Sequence, residues 1–334
     1  MFVKKIRTFM LAIFIFITIF SCSAGPFVLI TQYDNEIDPT IRNQLHDIGN
    51  KINNGIENED FSPLRRYFSQ ELLESDQFNL EEFTKQVSAY FNNNQISLMY
   101  EYYSLLKKSG SVNNATILPD ERNRFIINQA YFDTNESYAL FYKIDGGSSQ
   151  LLSYIYLNKY DDGWKVTNMH LGSYSIGNLN APDLYLKMEE SLESGKIGSA
   201  LFYGVAMLKV LRPVNNLQYK NESEYKGTIE NIISDFQKEN QFPIEINQHM
   251  SIYYMDVNSV DGASILPTIK YVTDIKMNES YLKELIESNL DDIYRMLPGL
   301  KEEFTSILFQ AFSEPPIDPN KTYNLFGTII DTGR

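Results

Sequence analysis

Near Gly110 the apolar residues change their spacing from helical to extended. That single change restricts the chain to folds in which a helical layer comes first and an antiparallel sheet follows. Before it, Ile41, Leu45, Ile48 and Ile52 recur at steps of four, three and four, which places them on one face of a helix over 39–55. A second helix is expected from Ser62, where Pro63 suits a first helical position and Leu64, Tyr67, Phe68, Leu72 and Leu73 form its apolar face. A third is expected over 80–107 on the spacing of Phe83, Val87, Tyr90 and Phe91, with Asn92, Asn93 and Asn94 as a point where it breaks in two. After Gly110, the segments 125–132, 138–144, 151–160 and 164–171 predict four consecutive antiparallel strands. Asp145-Gly146-Gly147 and Asp161-Asp162-Gly163 supply the tight turns between the last three. The predicted class is α+β, with helices over one face of a curved sheet.

From Ala181 the pattern returns to helix. Two helices, 183–194 and 197–211, divided by Gly195 and ended by Pro213, predict a helical hairpin, and a further helix covers 222–238. The stretch "GKIGSALFYGVAMLKVL" places Gly198, Ala200, Gly204 and Ala206 where helices approach closely. It resembles one unit of a tetratricopeptide-like pair, but no second copy exists at that period, so a solenoid is not expected. The last part reads as strands over 250–257 and 268–276, a helix, and strands over 304–312 and 323–330. The helix is carried by Leu282, Leu285, Ile286, Ile293 and Leu297, with Asn278 or Ser280 as its cap and Pro298-Gly299 as its end. The division expected is a leader (1–21), a tether (22–37), an α+β domain (38–178), a helical connector (181–242) and a second α+β domain (243–334).

The helical opening "IRNQLHDIGNKINNGIENEDFSPLRRYFS" and the closing "DDGWKVTNMHLG" strand resemble the NTF2-like superfamily over roughly residues 38 to 178. That resemblance implies a cone whose concave sheet face forms a pocket. Some members of the superfamily are isomerases or dehydratases, and many only bind ligands or partners, so fold does not give function. On the last strand, alternation places Trp164, Val166, Asn168 and His170 on one face and Lys165, Thr167, Met169 and Leu171 on the other. His170 and Asn168 with Tyr154, Tyr156 or Asp133 would make a polar floor for a small ligand or a proton transfer. The plainer reading makes Trp164 core and His170 a surface or satisfied structural residue.

The only cysteine, Cys22, ends a segment in which Lys4, Lys5 and Arg7 precede the apolar run Phe9–Phe20. This is the layout of an export signal, too short for a membrane span. Ile19, Phe20, Ser21 and Cys22 resemble a lipobox, although Phe20 is bulkier than the pattern favours. The resemblance implies acylation of Cys22 and cleavage before it; the alternative is ordinary cleavage after Ala24. An acyl chain contributes about 0.8 kcal/mol per buried methylene, so two or three would hold the protein on a membrane. Ser23 lacks the aspartate-type retention signal, so the location expected in a two-membrane cell is the outer membrane, facing the periplasm.

Loss of the leader moves the formal net charge from −14 to −17, a field that repels nucleic acid, and no basic stripe relieves it. With one cysteine no disulfide framework is possible, so stability rests on buried cores. His46, His170 and His249 lie far apart, with no metal-binding spacing, so no metal is predicted. Asp256, Asn258, Asp261 and Gly262 depart from a calcium loop at Val260, and the serines around Gly172 do not form G-x-S-x-G. Neither nucleotide-binding glycine motif occurs, so no cofactor is expected. The pairs Asp161-Asp162, Glu189-Glu190, Asp291-Asp292 and Glu302-Glu303 lie in turns or on polar helix sides, where carboxylates are solvated charge rather than a glycosidase pair. The expectation is a membrane-anchored binding or assembly module for a small ligand or an envelope protein. Its rivals are an acid–base enzyme acting through His170 and a sensor or inhibitor presenting the C-terminal domain.

Overall fold

The computed structural model describes residues 28–76, 78–92, 94–106, 112–118, 124–131, 134–147, 149–260, 264–318 and 321–333. The expectations for the leader, Cys22, Asp133, Asp261 and Gly262 lie outside these residues. The described residues form a mixed α+β structure with three mostly antiparallel sheets.

The first helix, α1 (Pro39–Glu57), begins where Asp38 accepts the Thr40 and Ile41 N–H groups and Pro39 takes an early helical position. Its Leu45, Ile52 and Ile56 are completely buried. The helix expected from Ser62 is instead three short turns: α2 (Phe61–Leu64), a 3-10 turn (Arg65–Tyr67) and α3 (Gln70–Leu73). The break occurs because Phe68 bridges Val166 as a strand would, and the Ser69 N–H donates to the Val166 carbonyl at 2.9 Å. Ser69 then caps α3 by accepting the Leu72 N–H.

The next helix, α4 (Leu80–Phe91), stops at Asn92, whose backbone is extended. Residues expected to continue it to 107 form β2 (Gln95–Leu106) instead. Ile96, Tyr100, Tyr102 and Tyr103 favour a pleated surface, and burial of both strand faces removes the alternation that would have announced it. The segment read as a tether also carries structure, since β1 (Val28–Tyr33) pairs antiparallel with β2.

The first sheet has the order β1-β2-β5-β6-β7, with β5 (Glu136–Asp145), β6 (Gln150–Tyr160) and β7 (Gly163–Ser173) joined by the two predicted turns. Gly147 (φ 88°) and Gly163 (φ 117°) take the left-handed conformation those turns require. The α1 side of the sheet buries Leu140, Leu157 and Val166 against the helices. The opposite side buries Tyr102, Phe141, Tyr154 and Tyr156 against the rest of the chain. The expected pairing of 125–132 with the next strand does not occur. β4 (Phe125–Tyr131) lies between β3 (Val112–Ile117) and β8 (Leu217–Tyr219) in a separate three-stranded sheet.

The hairpin is α5 (Ala181–Glu193), opened by an Asn180–Asp183 capping box, and α6 (Ile197–Val210), with Gly195 at φ 71° between them. A Cβ on Gly204 would stand 2.2 Å from Ile229 Cδ1, and one on Gly198 would stand 2.5 Å from the Leu297 backbone. Gly198 and Gly204 therefore serve the close approaches expected of them. Burial extends almost all the way round α6, as in the central helix of a globular core.

After α7 (Glu222–Glu239) comes a five-stranded sheet of β9 (Ile244–Asn247), β10 (Met250–Val260), β11 (Ser264–Val272), β12 (Ser306–Phe312) and β13 (Leu325–Asp331), in the order β13-β12-β11-β10-β9. β11 starts and ends four residues before the expected strand. It pairs parallel with β12 across α8 (Glu279–Met296) and the short α9 (Leu300–Glu303). Of the two candidate caps, Asn278 opens α8, accepting the Ser280 N–H. One continuous apolar core joins the back of the first sheet, the hairpin, α7, α8 and the C-terminal sheet.

Candidate functional site

The polar floor expected on β7 is divided by a bulge. Tyr156 faces Asn168 while Leu157 faces Val166, so Thr167 is an extra residue and the alternation slips there. Trp164 and Val166 consequently join the α1 side of the sheet, where Trp164 meets the Tyr138 ring edge-on at 6.4 Å. Asn168 and His170 turn to the other side, beside Tyr156 and Tyr154, their directly paired neighbours. That side is packed: the Tyr154 ring lies 4.9 Å from Phe141, and its hydroxyl donates to Gln129 Oε1 at 2.6 Å. The same Gln129 oxygen accepts from Asn216 Nδ2 at 2.9 Å. Burial lowers the imidazole pKa of His170, which keeps the ring neutral in this setting. The structure thus brings four of the five predicted pocket residues together and separates Trp164 from them.

A polar cluster that the sequence reading missed lies on the α1 side. Glu101 of β2, almost completely buried, accepts from Arg42 Nε through Oε1 at 2.5 Å. Its Oε2 meets His46 Nε2 at 2.6 Å and also accepts from the Tyr138 hydroxyl. The Glu101 N–H donates to Asp34 Oδ1 at 3.3 Å. Burial, reinforced by Glu101, pushes the Tyr138 hydroxyl far above its ordinary pKa, and burial also raises the Asp34 carboxyl. Both Glu101 oxygens are occupied, so the cluster clamps α1 onto the sheet.

An open space lined mainly by apolar side chains lies elsewhere, between α6, α7 and β10. A cavity of about 420 Å³ is lined by Leu201, Val205 and Leu208 on one face of α6, by Ile233 and Phe236 of α7, and by Tyr254 and Met255 of β10. Phe242, in the loop after α7, closes one wall. Lys209 and Asp256 supply the charged end. Burial acts to raise the Asp256 carboxyl, but Lys209, the Val257 N–H and Lys270 outweigh it and hold it below the usual range. The all-apolar α6 with a lone Lys209 near its end was the available sequence signal; the strand that completes the cavity was not legible as its neighbour. Among the described residues, no three His, Cys, Asp or Glu side chains gather where they would hold a metal ion. Nor is any described helix long and apolar enough to cross a membrane.

Comparison with family models, curated proteins and solved structures finds no match for this chain.

Proposed function

We propose that the chain is an exported, lipid-anchored binding protein of the cell envelope, whose ligand seat is the cavity between α6, α7 and β10. The observation that carries this reading is the cavity itself, of about 420 Å³, apolar along its length and charged at one end. Size and lining of this kind suit a small ligand rather than a protein segment. Export and anchoring are supported by the basic and apolar run ending at Cys22. The order of helices before an antiparallel sheet supports the NTF2-like reading of 38–178, although both faces of that sheet are already covered and the seat lies outside it.

Native mass spectrometry of the protein from its own cells is expected to show a small added mass that unfolding releases. Val205→Trp, which fills the cavity, is expected to lose that mass while remaining folded. Retention of the mass in that variant would remove the cavity from the account. For the anchor, Cys22→Ser is expected to leave the membrane fraction, and its retention there would exclude lipidation as the tether.

A further inference from the structure

At the charged end of the cavity two lysines converge on one carboxylate, Lys209 from the lining and Lys270 from beside it. Lys209 Nζ lies 2.7 Å from Asp256 Oδ1, and Lys270 Nζ lies 3.1 Å from Oδ2. Lys209 also donates to the Val257 carbonyl oxygen, and Lys270 stands 5.2 Å from the centre of the Tyr254 ring. Together the two lysines and Asp256 carry one surplus positive charge, on a chain whose formal net charge is −14. The one amide side chain at the lining, Gln237, adds no charge. On the open side, Leu208 and Tyr254 leave about half of their surfaces exposed, at 41% and 55%, and form an apolar lip.

We propose that the ligand is a single-chain aliphatic carboxylate, its chain laid between α6 and α7 and its head group at Lys209, with Lys270 behind Asp256 supplying the charge that balances it. This rests on the reading of the cavity as the ligand seat. A carboxylate carries the one negative charge that balances the surplus, whereas a phosphate monoester would carry about −1.5 to −2. The apolar walls take up the chain, at about 0.8 kcal/mol per methylene buried.

The test is equilibrium binding of laurate, dodecanol, dodecyl phosphate and dodecyltrimethylammonium to the full chain, each below its micelle-forming concentration. Laurate is expected to bind at least tenfold tighter than the other three. Lys209→Met, which keeps an apolar stem of similar length, is expected to erase most of the preference over dodecanol. Asp256→Asn leaves both lysines and is expected to strengthen laurate binding. Should Lys209→Met fail to fold, Lys270→Met supplies the same comparison. Equal binding of laurate and dodecanol, or tighter binding of the phosphate or the cation, would overturn the carboxylate assignment while leaving the cavity as a ligand seat. Binding of none of the four would remove the seat as well.

Discussion

Glu101 shows how a residue can hold a helix in place and still escape a reading of the sequence. On α1 the polar residues Arg42, His46 and Asn53 each stand one position after Ile41, Leu45 and Ile52 of the apolar series. The period was visible, but its meaning was not, because Arg42 is separated from Glu101 by 59 positions. Pairing across such a distance is decided by topology, not by local pattern. Two other carboxylates, Glu222 buried and Asp256 half-buried, make part of the pH behaviour predictable. Burial acts to raise both Asp256 and Glu222, but Lys209 and Lys270 at the first, and Arg212 and Lys226 at the second, bring them below their ordinary values of 3.8 and 4.5. A carboxylate lowered on folding contributes stability that is complete above its unfolded pKa and is lost as pH falls through the folded one. The urea midpoint is therefore expected to begin to decline below about pH 6.5, where the unfolded His170 takes up a proton that the buried ring resists, and to fall further below pH 4 as these carboxylates protonate. Glu222→Gln is expected to be less stable at pH 7 and to show a shallower acid loss. Asp34, raised by burial, acts in the opposite sense, and its contribution declines as pH rises above 3.8.

Elements were legible where a local cue fixes them. The turns at Gly147 and Gly163 and the cap at Asn278 lie within a few residues of the backbone they shape, and all three occur as read. β2 was misread because neighbours on both faces cover it, leaving no alternation to count. β1 and β8 are short, and their partners make them strands. The bulge at Thr167 explains the misplaced Trp164: one extra residue reverses every side chain beyond it, and nothing in the composition of β7 announces it. Close packing is the counterpart of this dependence on partners. A Cβ on Gly172 would fall 1.9 Å from the Pro213 carbonyl oxygen, so β7 and the segment leaving α6 fit only with glycine there. Gly172→Ala is expected to cost about 3 kcal/mol in chemical denaturation, because backbone must move to admit one methyl group. A cost below about 0.5 kcal/mol would show that the approach is looser.

For the molecule as a whole, the division into a first domain, a connector and a last domain meets a core that crosses both boundaries. The hairpin read as a connector is the centre of that core. Phe202 and Tyr203 of α6 lie 6.1 and 5.1 Å from the Phe304 ring, and Gly198 lies against Leu297, so α6 depends on residues a hundred positions further along. A chain ending at residue 243 is expected to aggregate rather than unfold cooperatively, as light scattering and circular dichroism would show; a soluble, cooperatively folded fragment would make the first part independent. The buried centre also sets an order in time. Synthesis proceeds from the N-terminus, so α6 emerges before β10, α8 and Phe304 exist to cover it. During that interval an almost wholly apolar helix stands in water, and it is the stretch that a holdase chaperone would grip.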